Sequence, residues 1–333
     1  MEGVVTDTAT AGRERAPASL FGRIGAQNIS LLIALVVLLA IFGALRPDVF
    51  FTPRNLINIG LAVTILGILA MAQTVVIVSG GLDISVGSIV GLSTMVLAVA
   101  AQETGSIPAG ILAGLLAGLA AGAVNGLIIV YGPVNAVIAT LGTMSAFRGL
   151  AYLMNNGNSI PITGDSLRAL GIGTLLGLPF AIWLLIAAMA AFIVFTRETV
   201  VGRNIYALGG NPTVARLAGI PIRRYQISIY AMSGFAAAVA GLVLASRTMS
   251  GQPASGSQGL ELEAITAAIL GGCALQGGKG TIVGAMLGVL IIGVLNNGMI
   301  LTSVPTFYQL LAKGALLILA VIVQERQRAR SGE

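Results

Sequence analysis

Long apolar runs separated by short polar breaks organise this chain. Runs near 29–45, 59–79, 82–101, 107–130, 133–153, 177–196, 225–246, 261–277, 281–301 and 306–323 have roughly the 17–25 residues that a helix needs to cross a bilayer. They predict an all-α integral membrane protein with about ten crossings. Residues 1–28 form a polar, basic N-terminal segment, 29–323 the membrane domain, and 324–333 a short tail. The first run reads as an uncleaved span, because RPDVF follows it without a small-residue cleavage site.

Two breaks stand out. One is SGGLDISVGS, residues 79–88, where Asp83 is the only charged residue between Arg54 and Glu103. The other is the longest internal polar stretch, TRETVVGRNIYALGGNPTVARLAGIPIRRY, residues 196–225. Gly209, Gly210, Asn211 and Pro212 there make a turn and a helix start, with Asn211 as the N-cap and Pro212 at the first helical position. PTVARLAGI then reads as a short amphipathic helix, with Val214, Leu217 and Ala218 on one side and Arg216 in water. Gly219 ends it and Pro221 prevents its resumption. Such a helix between two spans is either a docking element or an ordinary basic loop.

Composition agrees with the pattern. Of 333 residues, 56% are hydrophobic and only 9% charged, far below the roughly 25% typical of soluble domains. There is no histidine, which removes imidazole metal sites and the usual neutral-pH proton shuttle. The single cysteine, Cys273, excludes an internal disulfide.

The net charge of +6 is mostly topological. With the N-terminus in the cytoplasm, twelve Lys and Arg residues fall in inside segments and four, Arg46, Arg54, Arg168 and Arg247, fall outside. Arg148 and Lys313 lie within spans. Basic residues favour the cytoplasmic side, so both termini are expected there.

The chain also repeats itself. GLDISVGSIVG from Gly81 matches GLELEAITAAILG from Gly259, and VNGLIIVYGPVNAVIATLGT from Val124 matches NNGMILTSVPTFYQLLAKGA from Asn296. By the charge count, the matched turns face opposite sides. The halves, 59–153 and 225–323, are therefore expected to be an inverted pair, an arrangement typical of transport proteins. Glycines at 110, 114, 118, 122 and 126 form one helical face, suited to close helix packing in lipid.

SGGLDISVGSIVGL, GRNIYALGGNPTVARLAGIPI and ELEAITAAILGGCALQGGKGTIVGAMLGVLIIGVLNNGM resemble the permease subunits of bacterial ABC importers of the ribose and monosaccharide type. FFTPRNLINI and TLGTMSAFRGLAY resemble the same family's intervening segments, so the likeness runs from about residue 46 to 323. It implies the type II importer fold, a second permease subunit (identical or paralogous), a cytoplasmic ATPase with tandem nucleotide-binding domains, and a periplasmic or lipid-anchored sugar-binding protein. It places the chain in the bacterial inner membrane, surrounded by lipid, with no nucleic-acid partner. ATP and Mg would bind the ATPase, and this chain would need no cofactor of its own. It also implies that the loop 197–224 carries the coupling contacts: Gly202, Arg203, Gly209, Gly210, Asn211, Pro212, Arg216, Leu217, Gly219 and Ile220.

No catalytic set is evident. CALQGGKG departs from a phosphate loop at Cys273 and Gly280, where Gly and Ser or Thr are needed. Asp83 is expected either to cap a helix at the cytoplasmic turn, together with Ser85, or to fold inward and line a wet pathway. Neutral groups near the repeat turns, Asn125, Asn135, Thr140, Asn296 and Asn297, are the other pathway candidates, because sugar hydroxyls need donors and acceptors. Asn155, Asn156, Glu261 and Glu263 are expected in outside loops, within reach of a binding protein. The rival reading is a self-sufficient secondary transporter or facilitator for a small polar solute.

Overall fold

A computed structural model describes residues 26–331 apart from Pro133 and Ser255. The expectation for 1–28 thus lies almost wholly outside the described residues. The first five helices are α1 (Ala26–Leu45), α2 (Pro53–Val78), α3 (Val86–Thr104), α4 (Ile107–Tyr131) and α5 (Ala136–Leu153). A surface segment follows, with β1 (Ile160–Pro161), α6 (Asp165–Ile172) and the hairpin β2 (Thr174–Leu175) and β3 (Leu178–Pro179). Next come α7 (Phe180–Glu198), α8 (Val200–Gly210), α9 (Pro212–Leu217) and α10 (Ile222–Thr248). Then β4 (Ser250–Gly251) pairs antiparallel with β1, Ile160 opposite Gly251, before α11 (Leu260–Leu270), α12 (Ile282–Leu301) and α13 (Thr306–Ser331).

Local chemistry sets the helix starts. Thr52, Ser106, Asn135, Asn211 and Thr281 each accept a backbone N–H of the first turn, and Pro follows three of them at N1 or N2. Eight described helices, α1–α5, α7, α10 and α12, are long and apolar enough to cross a membrane. The apolar part of α13, Thr306–Ile322, has 17 residues.

The expected crossing at 261–277 is not a full span. α11 has 11 residues, about 16 Å of helix, roughly half the hydrocarbon thickness. It breaks into an irregular loop over 271–281 in which Gly272, Gly277, Gly278 and Gly280 all have positive φ. The basic loop contains two helices rather than one, and the tail over 324–331 continues α13.

Both re-entrant segments fold into the bundle. Residues 79–85 turn inward from the end of α2, so that Asp83 reaches Ser233 in the middle of α10, the twelfth of its 27 residues. From the opposite end, residues 250–261 thread down the side of α3. The amide of Gln252 donates to Thr94 Oγ1 (2.9 Å), and Thr94 Oγ1 donates to the Gln252 carbonyl (3.0 Å). A Cβ at Gly91 would strike Pro253, and one at Gly87 would strike Ser257 and Glu261. The expectation that Glu261 and Glu263 lie in an outside loop is therefore corrected. Non-helical backbone at this depth is tolerated because it is buried in protein and its polar groups are paired.

The two halves interleave. α4 packs on α3 and α10, while α12 packs on α11 and α2. The α4 glycine ridge serves both contacts. A Cβ on Gly114 would lie 2.8 Å from the Ser93 carbonyl of α3, and one on Gly126 would lie 2.7 Å from Ile227 Cα of α10. Only Gly lets these backbones approach so closely. α5 and α13 are the outliers: they lean on α3 and α11 and leave Ile138, Leu153, Phe307 and Leu311 exposed.

Candidate functional site

Three features of this fold carry chemistry. The first is the knot around Asp83, which is fully buried. Asp83 Oδ1 accepts from the Ser85 amide (3.0 Å) and from Ser85 Oγ (2.6 Å); Oδ2 accepts from Ser233 Oγ (2.8 Å). Asn125 Nδ2 donates to Ser85 Oγ (2.7 Å), and Tyr230 Oη donates to the Leu82 carbonyl (3.2 Å). Thr140 Oγ1 lies 3.5 Å from the same carbonyl and bonds chiefly to Ala136 O at 2.8 Å. Four of the sequence candidates, Asp83, Ser85, Asn125 and Thr140, thus meet in one place.

Asp83 stands between the two expectations. The turn folds inward, as a pathway residue requires, yet the carboxylate is sealed and its oxygens are occupied by donors from α3 and α10. It joins the first half to the second. Ser233 and Tyr230 were not identified from the sequence; they lie in the largely apolar run 225–246, where scattered polar residues such as Gln226 and Ser228 give them no distinction.

Other candidates do not share the site. Asn135 is an exposed cap of α5. Asn297 and Asn55 exchange amide hydrogen bonds of 2.8 and 3.1 Å, tying α12 to α2. Asn296 is separate again: its buried Oδ1 finds no hydrogen-bond partner among the described residues. It borders a small cleft with Glu263, Thr266 and Lys313.

The second feature is a belt of charge around the first turn of α11. Glu261, 6% exposed, lies 3.8 Å from Arg148 of α5, and Glu263 pairs with Lys313 of α13 at 2.6 Å. Both acids turn inward from the N-terminus of α11, whose dipole favours them. Their expected exposure to a binding protein is thereby corrected, because the segment leading to them descends into the bundle. Asn155 and Asn156 do lie in an accessible loop, Asn156 exposed and Asn155 partly so.

The third feature is the α8–α9 hairpin. Gly202 and Gly209 are buried packing positions rather than a contact surface. A Cβ on Gly209 would strike the Val78 carbonyl at the end of α2, to which the Gly278 amide also donates (2.8 Å). Tyr206 Oη bonds to the Gly280 carbonyl (2.8 Å), and Asn204 Nδ2 to Tyr225 Oη (2.7 Å). α8 is thereby clamped to the bundle, and α9 stands on it. In α9 only Ala215 is buried; Val214 and Leu217 are 58% and 84% exposed, and Arg203, Gly210, Asn211, Pro212, Arg216 and Gly219 are also exposed, with Ile220 partly so.

Comparison with known proteins gives a consistent result. The chain is 41% identical over 298 residues to the L-arabinose ABC transporter permease protein AraH of Azospirillum brasilense, covering 90% of this chain and 87% of that one. It is 41% identical to the ribose import permease protein RbsC of Bacillus subtilis, covering 91% and 94%. It is 40% identical to the L-arabinose transport system permease protein AraH of Escherichia coli, covering 93% and 94%. No solved structure matches. Residues 55–321 match the family described as branched-chain amino acid transport system / permease component, and the chain belongs to that family of multi-pass membrane permeases.

Proposed function

We propose that this chain is the passive translocation subunit of an ATP-driven importer for a monosaccharide of the ribose or arabinose kind. Its relatives carry those substrates in their names. The observation that carries the reading is α9, a capped helix on a clamped base with Val214 and Leu217 turned to solvent. An exposed apolar pair on a rigid helix suits a groove in a partner. That partner is a tandem-domain ATPase, which holds the ATP and Mg, and ATP-driven closure moves α8 and α9 together with the ends of α2 and α11. On this reading both termini are cytoplasmic in a bacterial inner membrane. A second permease subunit covers the open faces of α5 and α13, and a sugar-binding protein docks near Asn155 and Asn156.

One observation favours the rival reading. Ionisable groups inside a membrane protein often mark ion-coupled transport, and Glu261, Glu263, Arg148 and Lys313 are such groups. Reconstitution separates the two. ATP-dependent sugar uptake by liposomes holding the chain, its ATPase and its binding protein is expected. Uptake by the chain alone, indifferent to ATP, would overturn the importer reading.

A further inference from the structure

The Arg148–Glu261 pair has polar capacity that the fold does not use. At 3.8 Å its nitrogen and oxygen are too far apart for a hydrogen bond. Arg148 Nε and Nη2 and Glu261 Oε2 are buried and find no hydrogen-bond partner among the described residues. Stranding a buried charged donor or acceptor is costly, and such atoms call for an occupant. Asp83, by contrast, is fully buried with every carboxylate oxygen occupied. The two acids hold matching places in the repeat, so the difference lies in what surrounds them.

The pair lies at the right depth and at an edge. Glu261 lies against Gly87, one turn beyond the Asp83 knot and so near the middle of the bundle. Arg148 retains 18% exposure on α5, whose Leu141, Gly142 and Ser145 are open. A Cβ on Gly142 would meet nothing. The pair is neutral as a whole, yet it offers donors beside an acceptor, which is what vicinal hydroxyls demand and what a single charge does not give.

We infer that Arg148 and Glu261 form a hydroxyl-binding station for the sugar midway through the membrane, Arg148 donating to hydroxyl oxygens and Glu261 Oε2 accepting a hydroxyl proton. This rests on the monosaccharide reading above. The three unpartnered atoms are sealed from water in this structure, so a sugar reaches them only as α5 moves off α3 during transport. The station chooses among solutes by hydroxyl placement without holding any of them tightly.

The test uses the assembled complex in liposomes, with binding protein saturated by ribose, by arabinose, or by monodeoxy analogues of each. Maximal uptake rates are compared for wild type, Glu261→Gln and Arg148→Lys. Wild type is expected to carry one deoxy analogue about tenfold more slowly than its parent, the effect of one hydrogen bond to a charged group. In either variant that preference falls to about twofold or less. A merely structural pair would slow parent and analogue by the same factor, and that result overturns the inference.

A second measurement does not depend on the variants folding. Ser145→Cys, one turn before Arg148, is exposed to a charged, membrane-impermeant thiol reagent, with buried Cys273 as a quiet background. Labelling that parent sugar slows supports the station. No labelling in an active complex means that this face meets lipid or the second subunit rather than a wet path, and overturns it. If wild type carries neither sugar nor analogue while ATP is hydrolysed, the monosaccharide reading falls and the station with it.

Discussion

Replacing Asp83 by Ala and by Asn separates structure from transport at the buried knot. The carboxylate accepts three hydrogen bonds, at 3.0, 2.6 and 2.8 Å. In Asp83→Ala the Ser85 amide loses its only acceptor, and the hydroxyls of Ser85 and Ser233 must turn elsewhere. A stranded buried donor costs about 1–3 kcal/mol. The amide alone accounts for that range, and the two hydroxyls, only partly rescued by nearby carbonyls, add about 2 kcal/mol, for a total of about 3–5 kcal/mol. In Asp83→Asn, Oδ1 still accepts from Ser85, and the new Nδ2 donates to Ser233 Oγ after the hydroxyl rotates. The expected cost is about 1 kcal/mol. At roughly 2–4 °C per kcal/mol, Ala should lower the apparent melting temperature of the detergent-solubilised protein by about 10 °C and Asn by about 3 °C. Transport by the Asn variant, assayed below its melting point, should stay within about twofold of wild type. A fully stable Asn variant that cannot transport would refute the argument, because the charge itself would then be required.

Other expectations follow from separate parts of the fold. Gly122→Val should force α4 from α10, since even a Cβ would lie 2.9 Å from Gly234 Cα; a loss of at least about 3 kcal/mol, or failure to accumulate in the membrane, is expected, and wild-type thermal stability would contradict it. Leu217→Asp should leave the melting temperature unchanged while weakening co-purification with the ATPase by tenfold or more, because Leu217 is 84% exposed in the free chain. Asn55→Ala and Asn297→Ala should each cost about 1–2 kcal/mol, and the double variant clearly less than their sum, because the two amides bond each other, Asn55 also holding the Phe50 carbonyl. Additive losses in a thermal-shift cycle would show that the two amides act independently.

The sequence made the long helices legible because hydropathy reports composition, and composition decides partition into lipid. It did not reveal the half-helix. Residues 261–277 are as apolar as a span, and a window of hydropathy cannot distinguish helix from irregular backbone that the protein itself buries. The signal was the glycine density: Gly272, Gly277, Gly278 and Gly280 adopt backbone angles that no helix uses. Asp83 was recognisable as unusual because it is a lone charge, whereas Ser233 and Tyr230 were hidden among apolar neighbours. Arg148 and Lys313 were noted within spans, but their partners could be known only once the segment 250–261 was seen to descend along α3. In α8 the motif was visible and its division was not: Gly209 looks like a turn residue and is in fact the contact point with α2.

The bond between Asp83 and Ser233 has a bearing on how the polypeptide is made. The aspartate emerges from the ribosome 150 residues before the serine that will hold it. At about 5–20 residues per second, that is a wait of about 8–30 seconds. Throughout this interval Ser85 can serve Oδ1 but Oδ2 lacks its donor, and the lowest-cost refuge for a half-satisfied carboxylate is water at the bilayer edge. The α2–α3 hairpin must therefore enter shallow and sink once α10 arrives. A nascent chain halted before residue 222 should keep a cysteine placed at Val86, fully buried in the finished fold, open to aqueous reagents, and the finished protein should hide it.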